Sequence, residues 1–168
     1  MTTMKPMDRE WRLRLAEARD TQTLVEFNRA MARETEAKDL AVDVLTAGVE
    51  CLLRSPRYGF YVVAEYCAPE EHHGEVAASL LVTYEWSDWR NGLFWWIQSV
   101  YVKPRFRRQG VYRRLYEFVK NRAAAEEPNV RGFRLYVEKE NRIAQQTYER
   151  LGMTETHYKM FEELREKQ

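Results

Sequence analysis

Near the N-terminus the apolar residues recur every second position. In WRLRLAEA (11–18), Trp11, Leu13 and Leu15 stand against charged neighbours, the pattern of a half-buried strand. Asp20 then occupies an N-cap position, and Leu24, Phe27 and Met31 follow at helical spacing. A second helix is predicted over 40–54, where Val44, Leu45, Val49 and Leu52 share a stripe that the Ser55-Pro56 pair ends. Three strands are predicted next, YGFYVVAEY (58–66), EVAASLLVTYEW (75–86) and GLFWWIQSVYV (92–102). A polar loop with Pro69, His72 and His73 joins the first two, and Asn91-Gly92, a pair tolerant of positive φ, turns the last two into a hairpin.

After Pro104 the period becomes helical. Val111, Leu115, Phe118, Val119 and Ala123 fall on one face, and the run stops before Pro128. GFRLYVE (132–138) again alternates, through Phe133, Leu135 and Val137. Strand, helix and strand in succession form a βαβ crossover, so those two strands are expected to run parallel. A short helix after Asn141 and a final strand pair over about 154–162 complete the prediction. The fold class is α/β (α+β): a mixed, mostly antiparallel sheet with one parallel crossover, flanked by helices.

The chain has 168 residues, one domain's worth, with its core expected over about 11–162. Hydrophobic residues make up 45% and charged residues 32%, a composition that can build a core. Lys plus Arg (27) nearly cancels Asp plus Glu (26), so the basic excess of a protein that coats DNA or an anionic membrane is missing. The two cysteines, Cys51 and Cys67, are too few for a disulfide framework and lack zinc-ligand spacing. No apolar run approaches the roughly 20 residues of a spanning helix. A cytoplasmic protein without metal is expected, and His72 and His73 alone do not make a metal site.

Charge is nevertheless concentrated. VYVKPRFRRQGVYRRLY (100–116) passes from strand through an arginine-rich turn into a helix, with Arg105, Arg107, Arg108, Arg113 and Arg114 close together. The first N–H groups of a helix lack intrahelical acceptors and its dipole is positive there, so the main chain can bind a phosphate. Gly110 permits close approach because it has no Cβ. The alternative is a solvated arginine surface. A nucleic-acid module would use the same arginines with Phe106, Tyr112 and Tyr116 as stacking groups. Neither GxxxxGK[ST] nor GxGxxG occurs in the chain.

RRQGVY (107–112), preceded by IQSVYV (97–102), resembles the acyl-CoA-binding motif Q/R-x-x-G-x-G/A of the GNAT superfamily of N-acetyltransferases. Arg107 and Gly110 match it, and Tyr112 stands where the family usually has Gly or Ala. NRIAQQTYERLGM (141–153) resembles the family's later motif through Asn141, Ala144, Tyr148, Gly152 and Met153. The resemblance implies acetyl-CoA as co-substrate. It assigns the backbone of Val100, Tyr101 and Val102 to the pantetheine arm. Arg107, Arg108, Gln109 and Gly110 of the turn, with Val111, Tyr112 and Arg113 of the helix start, are assigned to the diphosphate. Asn141 would reach the pantetheine or cap its helix.

Tyr148 occupies the position from which family members direct a phenol at the CoA sulfur; the alternative is a tyrosine packed in the core. With ordinary values of about 10 for Tyr and about 8.5 for a thiol, full proton transfer to the thiolate is uphill, so a hydrogen bond to the developing charge is the expected role. The attacking amine must be neutral, but Gln98 and Ser99 stand where some members carry carboxylates. They would orient the acceptor or the acetyl carbonyl, or else bond within the sheet.

By the same resemblance Glu34, Glu36, Trp86, Asp88 and Trp89 would line the acceptor pocket. Carboxylates and indoles suit a small cationic amine, whereas an ordinary solvated helix end and a hairpin closure would explain the same residues. The function implied is acetyl transfer to a primary amine by direct attack in a ternary complex, with no nucleic acid or membrane as partner and a homodimer as a further option. The alternatives are a non-catalytic acyl-CoA-binding module and an interaction domain built on the Arg105–Arg114 cluster.

Overall fold

The structure, a computed structural model, describes residues 10–67, 74–126 and 129–165, so the loop with Pro69, His72 and His73 lies outside the described residues. The chain forms two compact units, Met1–Tyr136 and Val137–Gln168.

The first unit holds strands β1 (Trp11–Leu15), β2 (Gly59–Tyr66), β3 (Glu75–Ser87), β4 (Gly92–Val102) and β5 (Val130–Leu135), with helices α1 (Thr21–Glu36), α2 (Val42–Arg54) and α3 (Val111–Glu126). The strands lie in the order β1-β2-β3-β4-β5. The first three pairings are antiparallel and β4 with β5 is parallel, as the crossover through α3 requires. Tight turns serve the antiparallel neighbours, whereas the parallel pair needs a helix to carry the chain back.

Alternation along the strands sorts the side chains onto two faces. Tyr61 and Val63 of β2 pack with Leu24 and Val25 of α1 and Val49 of α2, joined by Leu45, Leu52, Leu53 and Leu81. Leu24 is fully buried, which stabilises the fold by about 2 to 3 kcal/mol. On the opposite face the buried ring of Trp95 meets Phe60 and Phe133 edge-on, and Phe133 meets Tyr116 of α3. Val44, expected in the α2 stripe, is exposed; Leu53 takes its place on the packed side.

Asp20 precedes α1 as predicted, but its side chain does not cap that helix. Its two carboxylate oxygens accept hydrogen bonds from Arg14 at 2.7 and 2.8 Å, and one of them also accepts from the Glu17 amide at 2.7 Å. Arg14 donates its Nε to Glu65 at 2.8 Å. Burial alone would push the Asp20 carboxyl up, but the bonds from Arg14 and the Glu17 amide outweigh it and hold the carboxyl below its ordinary value. A buried guanidinium needs a partner more than a helix start does, because several solvents and side chains can satisfy a helix end.

The Asn91-Gly92 hairpin forms, but only Asn91 takes a positive φ, 44°. Gly92 opens β4, where a Cβ would lie 2.4 Å from the Asn129 carbonyl and 2.6 Å from the Arg131 side chain.

In the second unit, helix α4 (Arg142–Arg150) is capped by Asn141, whose side-chain oxygen accepts from the Ala144 amide at 3.1 Å. Gly152, with φ 88°, closes the helix as its amide bonds Glu149 O and the Met153 amide bonds Tyr148 O. The strand pair expected over 154–162 is absent, and the described residues after Gly152 have no regular structure. Two strands in that span would need a tight turn, and TETHYKMFE contains no Gly, Asn or Pro to make one. β5 likewise stops at Leu135, short of the predicted 138. Among the described residues, no helix is long and apolar enough to cross a membrane.

Candidate functional site

Between β4 and α3 the chain makes a short 3₁₀ turn, Pro104–Phe106, with Phe106 buried as its anchor. Arg108 and Gly110 then both take left-handed conformations, φ 61° and 74°. The first helical bond of α3 runs from the Arg114 amide to Gly110 O at 3.1 Å. The amides of Val111, Tyr112 and Arg113 therefore precede the internal hydrogen-bond ladder. A Cβ built on Gly110 meets no atom within 4 Å, so the space in front of this helix start is open. A positive φ, open space and amides without intrahelical acceptors together fit a diphosphate.

The arginine side chains contribute less than their number implies. Arg107 donates to Glu34 of α1 at 2.7 Å and to the Val102 carbonyl at 2.8 Å. Arg113 pairs with Glu117 at 2.8 Å along its own helix, and Arg105 pairs with Glu75. Arg108 is exposed and forms no ion pair among the described residues. Gln109 caps the turn internally, its side chain donating to Arg105 O at 2.9 Å. Arg107 thus braces the turn against α1.

The last pairing of β4 with β5 is Ile97 with Leu135, whereas β4 runs on to Val102. Among the described residues of this unit, the β5-side edge of β4 from Gln98 to Val102 carries no strand partner. Opposite it, the register between β3 and β4 shifts between Ser79 and Leu81, and Ser99 takes φ 46°. The bulge restores side chains three apart to one face. Gln98 lies there opposite Leu81, and Tyr101 lies against Phe27 of α1 with ring centroids 5.0 Å apart. Gln98 donates to Thr83 Oγ1 at 2.7 Å, the bond within the sheet that was one of its two expected roles. The Tyr101 hydroxyl makes a long hydrogen bond, 3.4 Å, to Glu34. Burial and then the Glu34 charge push that phenol above its ordinary value, so it remains a donor.

The residues expected to line an acidic acceptor pocket do not come together. Glu34 is committed to Arg107, and Glu36 pairs with Lys38 on the exposed end of α1. Asp88 accepts from the Trp89 amide at 2.8 Å within the hairpin, and Trp89 is exposed. Trp86 pairs with Leu93, on the face opposite Gln98.

Its neighbour Glu85 instead shares the Gln98 face, opposite Phe94. Glu85 accepts from Trp96 Nε1 and, at 2.6 Å, from Arg134 of β5. The Arg134 guanidinium lies over the Phe94 ring at 3.8 Å, and the Trp96 and Tyr136 rings meet at a tilt with centroids 4.4 Å apart. Sequence reading missed this cluster. Period two carried through the hairpin from Ser87 opposite Gly92 would have found it, because that register puts Glu85, not Trp86, beside Trp96 and Gln98.

In the second unit, the Asn141 side chain is engaged as a cap. Burial raises the Tyr148 phenol above its ordinary value, which keeps it protonated and able to donate.

The model of the acetyltransferase (GNAT) family matches residues 14–153. The chain therefore belongs to the GNAT family. It is 45% identical to a possible acetyltransferase from Clostridium difficile 630, over 94% of this chain and 99% of that one, with a TM-score of 0.83. At 18% identity, a predicted acetyltransferase from Clostridium acetobutylicum solved with acetyl-CoA shares the fold over 91% of this chain and 96% of that one, TM-score 0.72. An aminoglycoside N-acetyltransferase in complex with CoA does so over 92% and 95%, TM-score 0.67, also at 18% identity. No curated protein matches.

Proposed function

We propose that this protein transfers an acetyl group from acetyl-CoA to a primary amine, by direct attack in a ternary complex in the cytoplasm. The observation that carries the reading is the open helix start at Gly110, directly after a β4 edge that runs beyond its last β5 partner. The amides of Val111, Tyr112 and Arg113 would hold the diphosphate, and the main chain of Val100, Tyr101 and Val102 would hold the pantetheine arm. Acetyl-CoA supplies an acyl group already activated as a thioester.

The protein's own part is to orient the acceptor and stabilise developing charge. Gln98, fixed by Thr83, would orient the acceptor or the acetyl carbonyl. Tyr148 donates a hydrogen bond to the sulfur as it gains negative charge. Its raised phenol remains a donor through the ordinary tyrosine range near pH 10, because the folded value lies above the free one. The rate is expected to rise with pH as the acceptor amine loses its proton, and to decline only above the free tyrosine value.

Thiol release measured for wild type and Tyr148→Phe tests the reading. The variant is expected to lose about a hundredfold in kcat while binding CoA as tightly as wild type. Unchanged turnover would remove Tyr148 from the mechanism. CoA binding without thiol release for any amine would make the chain a binding module.

A further inference from the structure

The face of the sheet that carries Gln98 is covered by α1 over β3 and β4 and by α2 over β2, but toward the hairpin it bears a cluster on β3, β4 and β5. Its floor is aromatic: Phe94 and Trp96 lie side by side along β4, with the Tyr136 ring tilted against Trp96. Gly132 faces Phe94 across the parallel pair, where a Cβ would lie 2.7 Å from the ring. The glycine thus lets the Phe94 ring lie across β5.

Three guanidiniums gather on this floor. Arg134 lies over Phe94 at 3.8 Å and Arg90 reaches the same ring from the hairpin at 5.3 Å. Arg131 lies beside them, donating to the carbonyls of Arg90 and Asn91 at 3.1 and 3.2 Å. Two carboxylates are nearby, and both are engaged. Glu85 places one oxygen on Arg134 and the other on the Trp96 indole, while Asp88 turns to its own loop amide. Among the described residues the cluster is therefore net positive. Its carboxylates position the platform and are poorly disposed to receive an ammonium group.

From this arrangement we infer that the acceptor is an amine that also carries a carboxylate, held by the Arg134 guanidinium, with an apolar or aromatic body lying beside the Trp96–Tyr136 pair. The inference rests on the proposed amine acetylation and names its substrate class. A guanidinium has a rigid fork of donors suited to a carboxylate, and Glu85 occupies only NH1 of Arg134. The distances suit a small molecule. Arg134 is opposite Trp96, one residue before the last β4–β5 pair, and Trp96 is one same-face step of about 7 Å from Gln98. An amine and a carboxylate separated by a few bonds span that step.

Matched acceptors test the idea on the wild-type enzyme: L-phenylalanine, its amide and phenethylamine, with the corresponding leucine series, each followed by thiol release from acetyl-CoA. The carboxylates are expected to exceed their amides and decarboxylated partners by at least about tenfold in kcat/KM. Arg134→Gln should abolish that preference by raising KM for the carboxylates, with CoA affinity unchanged; the exposed Arg90→Gln should reduce it less. Equal or better use of the amides or simple amines overturns the inference while leaving amine acetylation intact. If none of these amines turns over, the CoA-loaded protein is titrated with N-acetyl-L-phenylalanine and N-acetylphenethylamine. Tighter binding of the acid, lost in Arg134→Gln, supports the carboxylate site, and absence of discrimination overturns it.

Discussion

Two groups of arginines sit at the two ends of β4, and they are disposed in opposite ways. Beyond Val102, Arg105, Arg107 and Arg113 each pair with a carboxylate, Glu75, Glu34 and Glu117. Before Gly92 and across on β5, Arg90, Arg131 and Arg134 outnumber Glu85 and Asp88, whose oxygens are bound in place. In the first region those three guanidiniums are held by carboxylates, and the proposed anion site is the main chain at Gly110. In the second the proposed anion site is a guanidinium. The density of arginine in the sequence does not by itself say which group would receive an anion.

Gly110→Val should have the largest effect on the first region. A β-branched residue at φ 74° is strained, and its side chain enters the space in front of the helix start. CoA affinity, read by calorimetry, is expected to fall about a hundredfold. A much smaller loss would mean that side chains, and not amides, dominate there.

Arg14 offers the fully matched, buried control. Asp20→Ala strips one of its two carboxylate partners and should cost about 2 kcal/mol in denaturant unfolding, less than the complete loss of a buried pair because Glu65 remains. The folded Asp20 carboxyl lies below its unfolded value, so its contribution is present above about pH 4 and is lost as pH falls through the folded value. The stability difference between wild type and Asp20→Asn should therefore narrow below pH 4.

Arg107→Gln should give the smallest effect, about a twofold loss of CoA affinity, because its partner Glu34 is half exposed and the pair acts as a brace. Combined with Glu34→Gln, the losses should be less than additive. A tenfold loss for Arg107→Gln alone would make it a direct phosphate ligand and weaken the contrast between the two ends of β4.

Much of the fold was legible because local patterns and tertiary packing agree. The period-two runs of β3 and β4, the helical stripe from Val111 to Ala123 and the crossover between them all appear where read. The turn at Gly110 was legible for the same reason: a glycine between a strand and a helix has a local meaning. What escaped was set by partners distant in sequence. The strand pair expected over about 154–162 does not form, and the Asp20 carboxylate turned to Arg14. The acidic pocket dissolved because Glu34 met Arg107, 73 positions away. Glu85 and Trp86 are adjacent in sequence but lie on opposite faces, because a one-residue step along a strand reverses the face.

The most direct test of the account is calorimetric titration of CoA into the folded wild-type protein. Saturable binding with a dissociation constant below millimolar is expected, and no heat from CoA or acetyl-CoA at millimolar concentration would contradict it.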